Sequence, residues 1–181
     1  FLFINSSDQA RDIYRGYDRD YEQFSNNFLV QRGTYVENTL MVNQLLGKHT
    51  ISEKIDFDWG TSFNTITSDM PYRTQNKMGV LPANSSTDGY TFAQNNTPDN
   101  HRYFQGLTED ELALNLALSY KLGNEENPKG KITLGYNGRM KERNFEAIQF
   151  NFRITGSQLN EVYDPNNLDV FFNQQNYANG L

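Results

Sequence analysis

The chain has 181 residues, and its 16 Lys and Arg against 22 Asp and Glu give a formal net charge of -6 at neutral pH. This balance gives no support to nucleic-acid binding, because domains that bind phosphate backbones usually carry a basic patch. Cysteine is absent, which excludes a disulfide scaffold, a thiolate metal site and a cysteine nucleophile.

The first 27 residues show only a weak pattern. Phe1-Leu-Phe-Ile4 predicts the stub of a strand, and because the chain opens inside apparent structure we expect any export signal to lie outside this sequence. A cluster of mixed sign follows and predicts a solvated loop or a short helix; it consists of Arg11, Asp12, Arg15, Asp18, Arg19 and Asp20, interleaved with Tyr14, Tyr17 and Tyr21.

Two strands are predicted next, near residues 29–46 and 51–67. In the second strand the large apolar residues Ile51, Ile55, Phe57, Trp59 and Phe63 all stand at odd positions, whereas the polar residues Ser52, Lys54, Asp56 and Asp58 stand at even positions. Successive strand residues point to opposite faces, so this segment has one apolar and one polar face. The first strand is weaker, and Gly47-Lys48-His49 predicts the tight turn between the two.

A second pair of strands is predicted near residues 109–122 and 131–154, joined across Gly123 to Gly130. Six apolar residues share one face of the first of these strands: Leu112, Leu114, Leu116, Leu118, Tyr120 and Leu122. Leu and Ala also form helices well. Alternate leucines would encircle a helix instead of forming a stripe, which favours the strand.

The lengths of the strands and links indicate a membrane barrel. Globular strands usually run about five or six residues, whereas a tilted membrane strand needs roughly nine to eleven. Short links alternate with long polar stretches at residues 68–108 and 156–181, which is the arrangement of periplasmic turns and extracellular loops. We therefore predict an all-β fold, in which residues 1–181 are part of a large antiparallel transmembrane β-barrel with long extracellular loops.

Several motifs resemble the barrel of TonB-dependent outer-membrane receptors, especially the large receptors of Bacteroidetes. The resemblance covers roughly residues 28 to 172. It rests on Gln44 to His49, Lys54 to Phe63, Asp69 to Arg73, Arg102 to Phe104, Leu112 to Leu122, Gly130 to Gly135 and Arg143 to Phe145. The plug, the TonB-contacting segment and the remaining strands of such a receptor are not in this chain.

The resemblance implies nutrient uptake across the outer membrane of a Gram-negative bacterium. Outer-membrane lipid is one expected partner, and the TonB complex is another, through parts of the protein not in this chain. A surface lipoprotein is a further candidate partner. No nucleic acid and no cofactor is expected.

On each predicted strand, the odd or even position of a residue determines which face of the barrel wall its side chain lies on. Ile55, Phe57, Trp59, Leu114, Leu116, Leu118, Ile132 and Leu134 are expected to face lipid. Asp56, Asp58, Arg139, Lys141 and Arg143 are expected to face the lumen, where they either contact plug or substrate or form a mutually paired, solvated surface. The turns at Gly47 to His49 and Gly123 to Gly130 would then be periplasmic.

The outer loops supply candidate substrate-binding aromatics: Tyr72, Tyr90, Tyr103, Phe104 and Phe171. Aromatic rings stack on sugars and anchor peptides, but long loops also need aromatics for their own packing, which we favour. The oxygen-rich run from Asp164 to Asp169 lacks the glycine turn and the distant Glu of a calcium loop, so it predicts an ordinary turn and no metal site.

Enzymatic chemistry has little support in this sequence. His49 and His101 belong to no metal-binding spacing, and the chain contains no Gly-x-Ser-x-Gly and no phosphate loop. We predict that the chain is not an enzyme. Two alternatives to the receptor are another large outer-membrane channel, for protein export or assembly, and a soluble extracellular β-sandwich that binds carbohydrate.

Overall fold

The computed structural model describes residues 1–19, 28–80, 90–93, 97–124, 127–154 and 161–178. Its strands are β1 (Leu2–Gly16), β2 (Phe28–Ser52), β3 (Ile55–Gly79), β4 (Thr91–Phe92), β5 (His101–Asn124) and β6 (Asn127–Asn151). They form one antiparallel sheet in the order β1-β2-β3-β5-β6, with β4 paired to β3. The predicted all-β class is confirmed.

Helical structure in the described residues is limited to short pieces. Two 3-10 turns lie at Thr97–Asp99 and Leu168–Val170, and the helix α1 spans Gln174–Ala178. Within the described part of the chain, no helix is long and apolar enough to cross a membrane.

The chain divides into two compact units. Unit 1 comprises Phe1–Ser7, Glu37–Asp69 and Gly106–Glu146, and unit 2 comprises Asp8–Val36, Met70–Gln105 and Ala147–Leu181. Both short links, between β2 and β3 and between β5 and β6, fall in unit 1. The long link from β3 to β5 and the segment after β6 fall in unit 2.

The turn predicted at Gly47 to His49 is wrong, because β2 continues to Ser52 and the turn consists of residues 53 and 54. A Cβ built on Gly47 would overlap the indole ring of Trp59. The glycine therefore leaves room on one strand for a large ring on the next. The indole Nε1 donates a hydrogen bond to His49 Nε2 at 3.1 Å, which holds the ring over this gap.

The strands also extend much further than alternation predicted. Residues 68–108 were expected to form a loop, but β3 runs on to Gly79 and β5 begins at His101. Polar residues continue the sheet there, as where Arg32 donates to Gln75 Oε1. Polar residues dominate this part of β3, so the alternation of apolar and polar residues that marks a strand is missing. The strand is therefore not recognised from the sequence. Residues 81–89 and 94–96 of the predicted loop lie outside the described residues.

The amino-terminal prediction also needs correction. The stub is a strand of 15 residues, and Arg11, Asp12 and Arg15 belong to it instead of to a loop or short helix. The cross-strand bonds from Asn5 Nδ2 to Glu37 and Thr39 show how β1 joins the sheet through polar contacts. Asp20 and Tyr21 lie outside the described residues.

The strand interpretation of residues 112–122 is confirmed, because they lie within β5. The link to β6 is shorter than predicted: strand structure reaches Asn124 and resumes at Asn127. Gly123 has a φ of 93°, a left-handed conformation that glycine adopts without the steric penalty of a side chain. Residues 125 and 126 lie outside the described part of the chain.

Unit 2 has an aromatic core formed by its links. Met78, Phe92, Ile154 and Phe171 are buried, and partly buried rings, including Tyr163, pack around them. The Phe92 and Phe171 rings lie 4.8 Å apart between centroids, and the Tyr163 and Phe171 rings lie 4.6 Å apart. Ring packing thus holds the segment after β6 against β3 and β4.

We predict that Gly47→Ala displaces the Trp59 ring and lowers the free energy of unfolding by about 1 to 3 kcal/mol, as overpacking does elsewhere. Trp59 is the sole tryptophan of the chain, so its fluorescence reports the displacement directly. Gly16→Ala is the control, because a Cβ at that position meets nothing within 4 Å. An unchanged emission spectrum in Gly47→Ala would contradict the packing described.

Candidate functional site

The polar face of unit 1 is the candidate functional surface. It carries the even-numbered side chains of β3 from Asp56 to Asn64 and the odd-numbered side chains of β5 and β6 from Glu109 to Lys121 and from Thr133 to Arg143. Contacts across the strands establish the shared face: Asn64 Nδ2 donates to Glu111 at 3.3 Å, and the Ser119 and Thr133 hydroxyls lie 3.0 Å apart.

Glu109 is the centre of a charge cluster on this face. Its side chain is only 5% exposed, and its two oxygens bind different cations: Oε1 lies 2.6 Å from Lys141 Nζ, and Oε2 accepts from Arg143 Nε at 2.6 Å. Glu111 extends the cluster, 3.5 Å from Lys141 Nζ and 3.7 Å from Arg139 Nη1. Three predicted lumen residues, Arg139, Lys141 and Arg143, are therefore brought together by two carboxylates.

The two predicted aspartates are held by a different set of partners. Asp56 Oδ2 lies 3.0 Å from Lys121 Nζ, and Asp56 Oδ1 accepts from the Thr50 hydroxyl at 3.1 Å. Asp58 has a looser partner in Lys48, at 4.0 Å between exposed side chains. Each of the four carboxylates named on the polar face is thus ion-paired, which matches the mutually paired alternative.

The opposite face of unit 1 carries an apolar belt. We define this belt as the odd-numbered side chains of β3 from Ile55 to Phe63 and the even-numbered side chains of β5 from Leu112 to Leu122 and of β6 from Ile132 to Met140. Its lengths are nine, eleven and nine residues, and Thr61 and Gly138 are the exceptions to its apolar character.

The belt ends at the same level on all three strands at one end, and at the other end it extends two residues further on β5, to Leu122, than on β3 and β6. Lys121 N donates to Lys54 O at 2.8 Å, and the Thr65 hydroxyl donates to Asp110 Oδ1 at 2.8 Å. This register sets Ile55 level with Tyr120 and Phe63 level with Leu112. The contacts between β5 and β6 likewise set Ile132 level with Tyr120 and Met140 level with Leu112.

The belt side chains are largely open to the surroundings. Leu118 is 47% exposed and Leu134 is 77% exposed, and no second sheet covers them in the described residues. The residues predicted to face lipid lie in this belt. On the polar face at mid-belt, small residues at 60, 117 and 135 leave a shallow depression of about 440 Å³, lined also by Leu46 and Asn115.

A separate polar network occupies unit 2. Lys77 Nζ lies 2.6 Å from Asp18 Oδ2 and 3.4 Å from Asp99 Oδ1. Buried His101 has its Nδ1 2.7 Å from the Pro98 carbonyl oxygen. That nitrogen must donate, because a carbonyl oxygen only accepts. The His101 Nε2 is then free to accept from the Arg73 guanidinium, 3.4 Å away.

The five candidate substrate-binding aromatics do not converge on one site. Tyr90 and Phe171 belong to the aromatic core, Tyr90 through a bridge to Tyr163. Tyr103 lies under the Arg73 guanidinium, 4.4 Å from ring centroid to carbon, and Phe104 packs edge-on to Phe150. Tyr72 is an exposed residue of β3. For Tyr90 and Phe171, these contacts favour loop packing.

Unit 2 also contains a groove of about 570 Å³. Arg102, Phe150, Phe152, Phe172, Asn173, Gln174 and Tyr177 line it. The Asn173 side chain is already committed, because its Oδ1 accepts from Asn176 N at the start of α1 and its Nδ2 donates to Val170 O. The groove therefore offers mainly aromatic surface.

The loop after β6 contains a turn where acidic oxygens are concentrated. Asp164 Oδ1 accepts from Asn166 N at 2.9 Å, and Asp164 O accepts from Asn167 N at 3.0 Å. These bonds define an Asx turn. In the described residues, no group of three or more His, Asp or Glu could hold a metal ion.

Burial, with a hydrogen bond to Glu161, raises the pKa of Tyr163 above its ordinary value.

Glu109 and Glu111 were not identified as site residues from the sequence. The signal was present in the hairpin between β5 and β6. Residues equally distant from its centre lie opposite each other, which places Glu109 beside Arg143 and Glu111 beside Lys141. Recognising that pairing requires the centre of the hairpin, and the predicted link of eight residues, Gly123 to Gly130, does not define that centre.

We predict that Glu109→Gln destabilises the sheet more than Asp58→Asn does. The first change leaves two cations beside a nearly buried amide, whereas the second removes a long contact between exposed groups, and such contacts contribute little. Urea midpoints of the refolded variants measure the difference. Equal midpoints would show that Glu109 does not organise the cluster.

Comparisons with protein-family models, with curated proteins and with solved structures found no match for this chain.

Proposed function

We propose that this chain is a wall segment of a large outer-membrane β-barrel that serves as a TonB-dependent receptor for nutrient uptake. The observation that carries the membrane assignment is the apolar belt. Its nine to eleven residues on each of three strands are the length that a tilted strand needs to cross the hydrocarbon layer. Charged Asp110, two residues before the belt on β5, and charged Glu142, two residues after it on β6, lie at the same end of the belt, as expected where a wall leaves the lipid.

The polar face supports a water-filled interior. Ion pairs on this face join half-exposed cations to largely buried carboxylates, as in Lys121 with Asp56 and Lys141 with Glu111. Such pairs need water or further polar groups around them, because isolated charges are costly to bury. A barrel turns this face to its lumen and the belt to lipid. The receptor assignment rests in addition on the sequence resemblance, since other large channels would share the same wall.

The distribution of links supports one orientation. The links between β2 and β3 and between β5 and β6 are tight, whereas about twenty residues connect β3 to β5. Outer-membrane barrels place short turns in the periplasm and long loops outside. The alternative of a soluble β-sandwich requires a second sheet over the belt, and the described strands form a single layer.

We expect Leu116→Arg to lower the stability of the membrane-inserted protein by about 2 to 4 kcal/mol, because it places a charge near the middle of the belt. Asn115→Arg is the matched control, since its side chain lies on the polar face one residue away. Urea titrations of both variants in phospholipid vesicles supply the comparison. Similar losses in both variants would remove the support for a lipid-facing belt.

Orientation is tested by single cysteines, which are clean probes because the chain has none of its own. We expect Asn166→Cys, in the link after β6, to react with an impermeant maleimide on intact cells, and Glu53→Cys, in the turn before β3, to react only after the outer membrane is opened. Both positions are exposed. The reverse pattern would invert the wall and contradict the receptor assignment.

A further inference from the structure

We propose that the groove of unit 2 binds a small aromatic carboxylate, with the ligand's ring against the aromatic side chains and its carboxylate on Arg102. The groove has a volume of about 570 Å³, within the range of roughly 300 to 1,000 Å³ that small-molecule pockets span. Every residue that lines it belongs to unit 2. The inference is therefore independent of the apolar belt in unit 1, and its failure would not alter the outcome expected for Leu116→Arg.

One side of the groove is a pair of residues on neighbouring strands. Phe152 N donates to Asn100 O at 3.1 Å, which makes these two residues partners across the hairpin of β5 and β6. Two residues further along, Arg102 on β5 is therefore opposite Phe150 on β6, and residues opposite each other have their side chains on the same face of a sheet. Both side chains line the groove, which places a cation beside an aromatic ring.

The other side of the groove comes from the segment after β6. Phe172 lines it together with Gln174 and Tyr177 of α1, and these last two residues are three positions apart, so their side chains share one side of the helix. The helix is attached to the aromatic core of unit 2, because Asn176 Nδ2 donates to Phe171 O at 2.8 Å and Phe171 is fully buried. This wall is therefore positioned before a ligand binds.

The charge of the ligand follows from Arg102. Within the described part of the chain, it is the only charged residue that lines the groove. Arg102 is exposed, and no described carboxylate forms an ion pair with it. A guanidinium binds a carboxylate through two parallel hydrogen bonds, and apolar rings around the pair strengthen the attraction because they lower the local dielectric constant. One guanidinium balances one negative charge, so we expect a monoanion.

The rest of the lining favours an aromatic ring over a sugar ring. Four aromatic side chains line the groove, and two of them, Phe152 and Phe172, already pack edge-on with centroids 5.4 Å apart, an arrangement that a ligand ring can extend. A sugar brings several hydroxyl groups that need new hydrogen-bond partners when water is displaced. Asn173 is already bonded through both ends of its amide, which leaves mainly Gln174 and the Tyr177 hydroxyl for that purpose.

The test measures the binding of three probes to the full chain refolded in detergent micelles, with titrations of empty micelles as the reference. Naphthoate is the aromatic carboxylate, naphthamide is a neutral molecule of the same shape, and glucuronate carries its carboxylate on a sugar ring. We expect naphthoate to bind at least tenfold more tightly than either of the others. A smaller preference over naphthamide or over glucuronate would overturn the proposal, because the charge or the aromatic ring would then not determine binding.

Two variants locate the bound carboxylate. Arg102→Gln should weaken naphthoate binding at least tenfold and leave the weaker naphthamide binding unchanged, which also shows that the variant has folded. Arg153→Gln is the matched control, because Arg153 is an exposed cation of unit 2 that does not line the groove; both affinities should stay the same. If Arg102→Gln keeps the preference for naphthoate, or if Arg153→Gln reduces it as much, Arg102 does not bind the carboxylate and the proposal fails.

A third variant locates the ring of the ligand. Tyr177→Ala removes a side chain that is 75% exposed, so the fold should not depend on it. We expect this change to weaken naphthoate and naphthamide by the same factor, because both probes present the same ring to the groove. Unchanged binding of the two probes would place their ring elsewhere and overturn the proposal.

Discussion

Backbone pairing along strands of 24 and 25 residues is the constraint on which the other features of this molecule depend. Once two strands are in register, the parity of a position determines the face on which its side chain lies. A shift of one residue in unit 1 would send Glu109 to the apolar face and Leu112 to the polar face. The separation of belt and charge cluster is therefore a direct result of register.

The charge cluster shows how such a register is reinforced by side chains. Glu109 contacts two cations that stand two residues apart on β6, and a slip of the hairpin by one residue would turn both of them to the other face. Asn64 makes the corresponding contact from β3 to Glu111. Polar contacts on one face thus favour the same strand register that places the apolar belt on the other face.

The links of unit 2 are held by a different interaction. The rings of Phe92, Phe171 and Tyr163 pack at tilted or edge-on angles with centroids less than 6 Å apart. Asn100 joins strands and link by donating to Ala93 O and accepting from Lys77 N. Some of the aromatic residues that the sequence suggested as ligand contacts therefore pack in the core of the loops. Exposed rings at Phe150 and Tyr177 remain accessible beside the groove of about 570 Å³.

The sequence by itself determined the strand class, the two faces of β3, β5 and β6, and the membership of Asp56, Asp58, Arg139, Lys141 and Arg143 in the polar face, because a two-residue period is a local property of the chain. Only the tertiary structure decided that Gly47 lies within β2, because the glycine makes room there for the Trp59 ring on the neighbouring strand. The same holds for the polar extensions of β3 and β5 and for the partners of Glu109, because residues far apart in sequence supply those contacts.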